Sequence, residues 1–305
     1  MIIKSIHKFI PGNFYNQLKV IYYELRRDKI FEKCHGYKPN IKSPQSFNEK
    51  IYFRKYFGNF ENMARIADKY KVRDYVKGKI GEEYLIPLLG VYENFTIKDW
   101  NDLPNSFVLK TNHGSGCKHI EIVKNKSDSD AEYIISKFKN AIKDNYGQIG
   151  HQPFYSKIKR KIIAEKYLDT GSFTPDDFKI HCFKNKTIIQ VDRGRYENHQ
   201  RSLFDENWEK LNYKLNSSYS DVEGLTRPKN LIKMIQLAKK LADGFDYIRV
   251  DFYNIDGELF FGELTQTHGN GTEDFKPTCI DYEWGKYWEL DVSNKTLYGK
   301  INNKL

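Results

Sequence analysis

Two carboxylates and an arginine lie in one short apolar stretch, IRVDFYNIDGELFFGEL, which runs from Ile248 to Leu264. Side chains two positions apart on a strand point to the same face of a sheet, so Arg249 and Asp251 share a face. Glu263 lies on the return strand of the same predicted hairpin. Like charges that face each other across strands are destabilising. A bound cation would offset that repulsion, so the stretch predicts a cation site.

The length of the turn decides whether the two carboxylates meet. A two-residue turn at Asp256-Gly257 would put them on opposite faces of the hairpin. A three-residue loop, Asp256 to Glu258 with the glycine at a bulge, places Asp251 directly opposite Glu263, with Cβ atoms roughly 5 Å apart. We predict the three-residue loop. Such a gap suits one or two Mg²⁺ ions that also take phosphate oxygens; the alternative is a surface hairpin with an incidental acid pair.

A lysine followed by a glycine loop forms a second candidate site. In FVLKTNHGSGCKHI, Lys110 ends an apolar strand, and Gly114, Ser115 and Gly116 follow it. Glycines let backbone N–H groups approach an anion closely, and consecutive N–H groups form an anion nest. The pattern GxxxxGK[ST] is absent and a strand follows the loop, so we interpret the segment as a hairpin flap over phosphates. The alternative is a plain glycine turn beside a solvated lysine.

Basic residues in VDRGRYENHQR predict where an acidic substrate binds. The segment supplies Arg193, Arg195, His199 and Arg201, and an arginine fork matches a carboxylate bidentately. The alternative is a charged surface loop. His268, just past the acid hairpin, is a candidate substrate contact or base, with a packed or solvated histidine as the alternative.

The elements that position these residues are mixed helices and strands. Residues 1–62 read as helical and basic, and Ser46 with Glu49 three residues later has the pattern of a capping box. Residues 128–146 have apolar residues at helical spacing, and the helix in RPKNLIKMIQLAKKLADGF has a proline in its first turn and Gly244 just past its end. Regular strand–helix–strand alternation is absent, so we predict an α+β fold and not a doubly wound parallel sheet.

Composition excludes several classes of protein. The chain has 305 residues and a net charge of +10, which attracts polyanions without choosing among nucleotide, nucleic acid, anionic lipid and acidic polysaccharide. No RNA-binding signature stands out, so we expect no nucleic-acid partner. No stretch approaches about 18 apolar residues, and the start of the chain lacks a secretory signal pattern. We interpret that start as a basic surface helix, with peripheral membrane contact as the alternative.

The four cysteines of the chain lie far apart and form no CxxC pair. They are Cys34, Cys117, Cys182 and Cys279. This is the pattern of neither a zinc site nor a disulfide framework. A reducing, cytoplasmic setting fits best, with the inner face of the membrane as a variant of it.

Read in order, these segments resemble the ATP-grasp superfamily. ADKYKVRDYV resembles the start of the helix with the first nucleotide lysine, FVLKTNHGSG the second lysine and the flap, AEKYL the hinge strand that holds adenine, and RVDF with GELFFGELT the metal-binding hairpin. The resemblance implies two α+β lobes that clamp ATP. It implies nucleotide-binding roles for Lys69, Lys110, Gly114, Ser115, Gly116, Glu165, Lys166 and Leu168, metal binding by Asp251 and Glu263, and catalysis by Arg249.

The detailed sequence of these segments is closer still to the TupA-like branch, named for teichuronopeptide biosynthesis. SPQSFNEKI, IPLLGVY and DFKIHCF resemble that branch. The implied organisation is a helical region over residues 1–62, an N-terminal lobe over 63–170 and a C-terminal lobe over 171–305. Many ATP-grasp enzymes have Glu-x-Asn at the second acid, whereas this chain has Glu263-Leu264-Thr265, so Thr265, Asn270 or water completes the metal site. Lys179 is expected near the nucleotide.

The resemblance implies an ATP- and Mg²⁺-dependent ligase that joins a carboxylate to an amine through an acyl phosphate. The expected substrates are a uronic acid and an amino acid or amine, as free sugar or as lipid-linked glycan, in surface polysaccharide biosynthesis. The alternatives are a sugar kinase, a glycosyltransferase of the same pathway or a non-catalytic polyanion-binding protein. A glycosyltransferase often has a Rossmann-like fold, and the predicted α+β pattern disagrees with that fold.

Overall fold

A computed structural model describes residues 28–149, 151–171, 175–194 and 198–299 of the chain. Most of the predicted N-terminal surface helix lies outside these residues, and so does Arg195. Residues 28–35 are helical. The helices that follow are α1 (Phe47–Phe57), α2 (Phe60–Ala67), α3 (Val72–Ile80), α4 (Ile97–Asp102), α5 (Ala131–Ala141), α6 (Tyr146–Ile149), α7 (Leu231–Ala242) and α8 (Cys279–Tyr287).

Two antiparallel sheets form the centre of the fold. The first contains β1 (Leu88–Tyr92), β2 (Phe107–Thr111), β3 (Ile120–Val123) and β4 (Ile162–Lys166), in the order β1-β4-β2-β3. The second contains β5 (Asp177–Phe183), β6 (Thr187–Arg193), β7 (Gln200–Phe204), β8 (Tyr247–Ile255) and β9 (Glu258–Thr265), in the order β7-β6-β5-β8-β9. The predicted α+β class is therefore confirmed.

Each sheet buries one face under amphipathic helices. In the first, β2 and β4 pack against Trp100 of α4 and Phe138 of α5. In the second, the apolar residues of α7 recur at helical spacing and cover β5 and β8, where Ile180 and Val250 are fully buried. Such a stripe faces a helix towards the core. The two sheets thus have separate cores.

The helices that precede the first sheet pack with the second. Val72 and Val76 of α3 belong to the core under α7, and Phe47 of α1 packs against Trp284 and Trp288 in and after α8. The domain boundaries at residues 62 and 170 stay predictions, but the packing associates α1 and α3 with the later sheet. This places the start of α3 beside the acid hairpin.

The start of α1 has the predicted capping box. The Ser46 hydroxyl accepts from the Glu49 backbone N–H at 3.2 Å, and the Glu49 carboxylate accepts from the Ser46 N–H at 3.1 Å. These bonds satisfy N–H groups that have no partner within the helix. The prediction from sequence spacing is confirmed here.

A buried arginine joins α1 to the acid hairpin. Arg54 pairs with Asp246, which directly precedes β8, and donates to the Tyr247 carbonyl at 2.7 Å and the Gln266 carbonyl at 3.2 Å. Its guanidinium carbon lies 4.3 Å from the centre of the Trp288 ring. Arg54 therefore fixes both ends of the β8–β9 hairpin.

No helix in the described ranges is long and apolar enough to cross a bilayer.

Candidate functional site

The acid hairpin turns through two residues, so the predicted three-residue loop is wrong. Asp256 and Gly257 have φ angles of 51° and 88°, and Ile255 pairs with Glu258 across them. Asp and Gly tolerate the left-handed region that a type I′ turn requires at both central positions. The sequence signal for a two-residue turn was therefore the correct one.

The two carboxylates nevertheless pair as predicted, because a β-bulge restores the register. Phe252 pairs with Phe261, but Asp251 pairs with Glu263, so Gly262 is the extra residue. A bulge of this kind puts two residues opposite one and re-aims the side chains beyond it. A Cβ atom at Gly262 would lie 3.3 Å from the Asp251 carbonyl oxygen, which explains why glycine occupies this close approach.

Arg249 binds both carboxylate oxygens of Asp251. Its Nε and Nη2 donate to the two carboxylate oxygens at 2.7 and 2.6 Å, and Nη1 contacts Nδ1 of His268 at 2.7 Å. A guanidinium has five N–H groups, so two remain beyond these three bonds, and Nη2 lies 3.6 Å from a Glu263 oxygen. Burial alone would lower the pKa of Arg249. The charge and hydrogen bonds of Asp251, together with the charge of Glu263, raise this pKa overall.

Glu263 is the more accessible carboxylate. It accepts from the Thr265 hydroxyl at 2.6 Å, and its other oxygen lies 4.0 Å from Nζ of Lys69. Asp251 is buried, and burial raises its pKa, with Glu263 adding to the effect. The pair thus concentrates negative charge. Thr265 orients Glu263, while its role as a metal ligand stays a prediction.

The glycine segment forms the predicted hairpin flap between β2 and β3. Lys110 pairs with Ile120 across it, and the Lys69 ammonium donates to the Gly114 carbonyl at 2.8 Å. A Cβ atom at Gly114 would lie 2.2 Å from Nδ1 of His119, and Gly116 has a φ of +81°. Both positions therefore require glycine, one for space and one for backbone conformation.

A polar cavity brings the flap and the acid hairpin together. We call the space lined by Lys69, Lys110, Gly114, Ser115, Gly116, His119, Ile120, Asp177, Asp251, Tyr253, Gly262 and Glu263 the polar cavity. Seven of the predicted nucleotide and metal residues line it. Sequence analysis assigned no role to His119 or Tyr253. The individual roles stay predictions, but the grouping is a property of the fold.

An apolar cavity adjoins the polar one. It is lined by Ile86, Val108, Ile122, Tyr167 and Leu168, with Lys110, Glu165, Lys166, Ile120, Asp177 and Tyr253 among its further residues. Lys110, Ile120, Asp177 and Tyr253 line both cavities. One continuous cleft therefore runs from apolar walls at the end of β4 to the carboxylates of the hairpin. This shape suits a molecule with a flat apolar end and an anionic end.

Arg73 contacts a cleft residue, Glu165, although no motif predicted it. Its Nη1 lies 3.3 Å from one oxygen of Glu165, and Nζ of Lys110 lies 2.8 Å from the other. Arg73 also donates to the Ile86 carbonyl at 2.8 Å. The available signal was that Arg73, in the first turn of α3, follows Lys69 by four residues, and Lys69 is already predicted to bind nucleotide.

The sequence matches a known protein family over the part of the chain that forms the cleft. The TupA-like ATPgrasp family matches residues 49–289 of the chain. The chain belongs to this family. No curated protein matches the sequence. The matched range of this TupA-like protein runs from the third residue of α1 to beyond α8 and includes the whole cleft.

Solved structures of ligases are similar to the TupA-like chain. D-alanine–D-alanine ligase from Bacillus anthracis aligns at 19% identity with a TM-score of 0.41, over 68% of this chain and 59% of that one. L-amino acid ligase from Bacillus licheniformis aligns at 12% identity with a TM-score of 0.44, over 69% and 45%. This chain thus spans about half the length of these proteins. At these values the similarities assign no substrate.

The remaining predicted residues of the TupA-like protein lie in a buried charged network. Lys179 is opposite Asp251 in the sheet, and its ammonium lies 2.8 Å from Asp177 and 3.1 Å from Asp192. Burial acts to raise the pKa of Asp192, but Lys179 and Arg201 hold it well below its ordinary value. Lys179 therefore neutralises internal acids beside the cleft, and its nucleotide role stays a prediction.

The predicted substrate residues are engaged with protein groups. Arg193 donates to both oxygens of Asp176 at 2.8 and 2.7 Å, and His199 lies 3.5 Å from Asp192. His268 is fully buried between Arg249 and Glu273, with Nε2 at 3.4 Å from the Glu273 carboxylate. Burial lowers the pKa of His268 well below its ordinary value. Roles for these residues in substrate binding stay predictions.

Proposed function

We propose that this TupA-like protein is an ATP-dependent carboxylate–amine ligase that works through an acyl phosphate. The observation that carries the proposal is the pairing of Asp251 with Glu263 beside Arg249, in a cleft that also contains Lys69 and the glycine flap. Membership of an ATP-grasp family supports it. The apolar cavity suits a purine ring, and the polar cavity suits a triphosphate.

The donor groups fit magnesium. Mg²⁺ prefers oxygen ligands, and it is commonly held by one or two carboxylates together with substrate phosphates and water. No group of three or more His, Cys, Asp or Glu residues that could hold a metal occurs among the described residues. Asp251 and Glu263 would therefore supply the protein ligands. Burial and mutual repulsion, which raise the pKa of Asp251, are relieved by a cation.

The chain's own residues would align two successive transfers. In the first, a substrate carboxylate oxygen attacks the γ-phosphorus of ATP, the bond to ADP breaks, and an acyl phosphate forms. In the second, an amine attacks the acyl carbon, phosphate leaves, and the nitrogen loses a proton. Such steps depend mainly on positioning and charge stabilisation. Arg249 would stabilise the transferring phosphoryl group, and Lys69 and Lys110 would hold the other phosphates.

We further propose that the acid substrate is a uronic acid and the amine an amino acid, as free sugar or lipid-linked glycan in surface polysaccharide biosynthesis. The origin of the family name in teichuronopeptide biosynthesis supports this class. The net charge of +10 favours anionic substrates of any size. The reaction would take place in the cytoplasm, where ATP is available.

The test is an ATP-consumption screen of uronic acids against amino acids, read by mass spectrometry. We expect ADP release that depends on both substrates, a product with the mass of the amide, and loss of both signals when a chelator removes Mg²⁺. ADP release without amine dependence, with a stable phosphosugar, would instead identify a sugar kinase. Tight binding of a UDP-sugar without ATP binding would identify a glycosyltransferase.

Alkylation of cysteine offers a test of nucleotide binding at the flap. Cys117 is exposed and follows Gly116 directly, so Mg·ATP at ten times its Kd should slow alkylation of this thiol by up to about tenfold. Cys34 and Cys279 are exposed elsewhere and should react equally with and without nucleotide. Burial raises the pKa of the Cys182 thiol to about 12, so it should stay unmodified. Peptide mass spectrometry after iodoacetamide treatment measures all four, and unchanged alkylation of Cys117 would argue against flap closure over the nucleotide.

A further inference from the structure

We propose that Arg73 is a positioning residue that keeps Glu165 paired when Lys110 moves to the nucleotide phosphates. The inference rests on the proposed function, because it concerns the ATP site of that enzyme. It concerns a residue that contacts neither the acid hairpin nor the flap. Arg73 acts through Glu165 and Lys110 and not on the reacting atoms.

The three side chains form a chain of contacts at the junction of the two cavities. Glu165 has one oxygen 3.3 Å from Arg73 and the other 2.8 Å from Lys110. The exposed fractions of the three side chains are 14% for Arg73, 9% for Glu165 and 15% for Lys110. Each carboxylate oxygen thus has its own cation. Of the two cations, it is Lys110 that lines both cavities.

Charge balance gives the two cations different tasks. A buried carboxylate that loses its only partner is strongly destabilised, since it leaves an uncompensated charge. Lys110 has a long flexible stem and can turn from Glu165 towards phosphates in the polar cavity. Arg73 is held by a second bond to the Ile86 carbonyl and stays in place. Lys110 is therefore free to serve the nucleotide only while Arg73 neutralises Glu165.

The position of Arg73 on the chain links this task to the other end of the cleft. Lys69 lies in the turn that precedes α3, and Arg73 is the second residue of the helix. The Lys69 backbone N–H is bonded to the Asn112 carbonyl at 3.1 Å, and the Asp68 carboxylate accepts from the Asn112 side chain at 2.8 Å. The start of α3 thus ties the flap to the end of β4 through a pair of cations.

The experiment compares Mg·ATP binding by calorimetry in the full chain and its variants. Arg73→Gln should weaken binding on the order of tenfold or more, because Lys110 must then choose between Glu165 and the phosphates. Combining it with Glu165→Gln removes the charge that needs a partner. The double variant should then bind Mg·ATP within about threefold of Glu165→Gln alone, so the effects are not additive.

Two further variants separate positioning from stability. Arg73→Lys keeps the charge but gives up the forked contact to Glu165 and the Ile86 carbonyl, so it should weaken Mg·ATP binding less than Arg73→Gln does. Lys77→Gln removes a cation from the same helix, where Lys77 pairs only with exposed Glu82, and should leave binding unchanged. If Arg73→Gln fails to fold, the double variant and Arg73→Lys still decide the question.

The outcomes distinguish the inference from the proposed function. A wild-type chain that binds no Mg·ATP would overturn the proposed function itself. Wild-type binding together with equal binding by Arg73→Gln would overturn only the role of Arg73. Additive losses in the double variant would do the same, because they would show that Arg73 does not act through the charge of Glu165.

Discussion

Asp251→Asn is expected to lower amide formation by about 100-fold or more, since losing even an outer-shell partner of a metal typically costs 10–100-fold in affinity or activity. The change keeps the shape of the side chain and removes its charge. Asp251 faces Glu263 and is held by Arg249, so the variant has one charged carboxylate at the proposed metal site where the wild type has two. Binding of Mg·ATP by calorimetry and amide formation by mass spectrometry both report the loss.

The matched control for this variant lies in the same hairpin. Asp256 is exposed at the turn with a φ of 51°, a conformation that asparagine also adopts readily. Asp256→Asn should therefore leave nucleotide binding and activity unchanged. Full activity in Asp251→Asn would contradict the proposed metal site and would favour the reading of the protein as a non-catalytic polyanion binder.

Arg54→Met is expected to lower the free energy of unfolding by about 3–5 kcal/mol, the usual loss when one partner of a buried ion pair is removed. Asp246 would remain buried, and its carboxylate would lose the guanidinium that now pairs with it. The packing over Trp288 would change as well. Urea unfolding followed by tryptophan fluorescence measures the loss, because Trp284 and Trp288 lie in the core that α1 joins.

A neighbouring arginine provides the control for stability. Arg65 on α2 is exposed and donates to the Asn62 side chain at 3.1 Å. Arg65→Met should change the free energy of unfolding by no more than about 0.5 kcal/mol, as is usual for surface positions. Asp246→Asn in the Arg54→Met background should recover part of the loss. A loss below about 1 kcal/mol for Arg54→Met would show that the buried pair is not a main support of the hairpin.

Short-range patterns predicted much of the site. Strand periodicity grouped Arg249 with Asp251, and the capping box at Ser46 followed from two residue types at fixed spacing. The pairing of Asp251 with Glu263 was predicted from a turn length that the structure does not have. The flap followed from glycines between two apolar strands. Each of these signals depends only on neighbours in the chain, and each survives folding because the local geometry is the same wherever the segment packs.

Long-range packing set the limits of prediction. The burial of His268 and the engagement of Lys179 with two acids arise from strands brought together by the fold. Arg73 had no motif, because its partners are 13 and 92 residues away along the chain. The bulge at Gly262 was also invisible, since a period-2 pattern interrupted once reads as a pattern of the wrong parity.

The single extra glycine at the bulge, Gly262, changes which residues of β9 face the core: odd-numbered residues before it and even-numbered residues after it. On the turn side Leu259 and Phe261 point into the hydrophobic interior, and beyond the bulge Leu264 takes over that task. If Gly262 instead paired regularly with Asp251, Glu263 would lie opposite Val250 and face the core, and Leu264 would face the cleft. The acidic pair therefore depends on the one unpaired residue of β9, and a variant that lost the bulge at unchanged length would separate the two carboxylates.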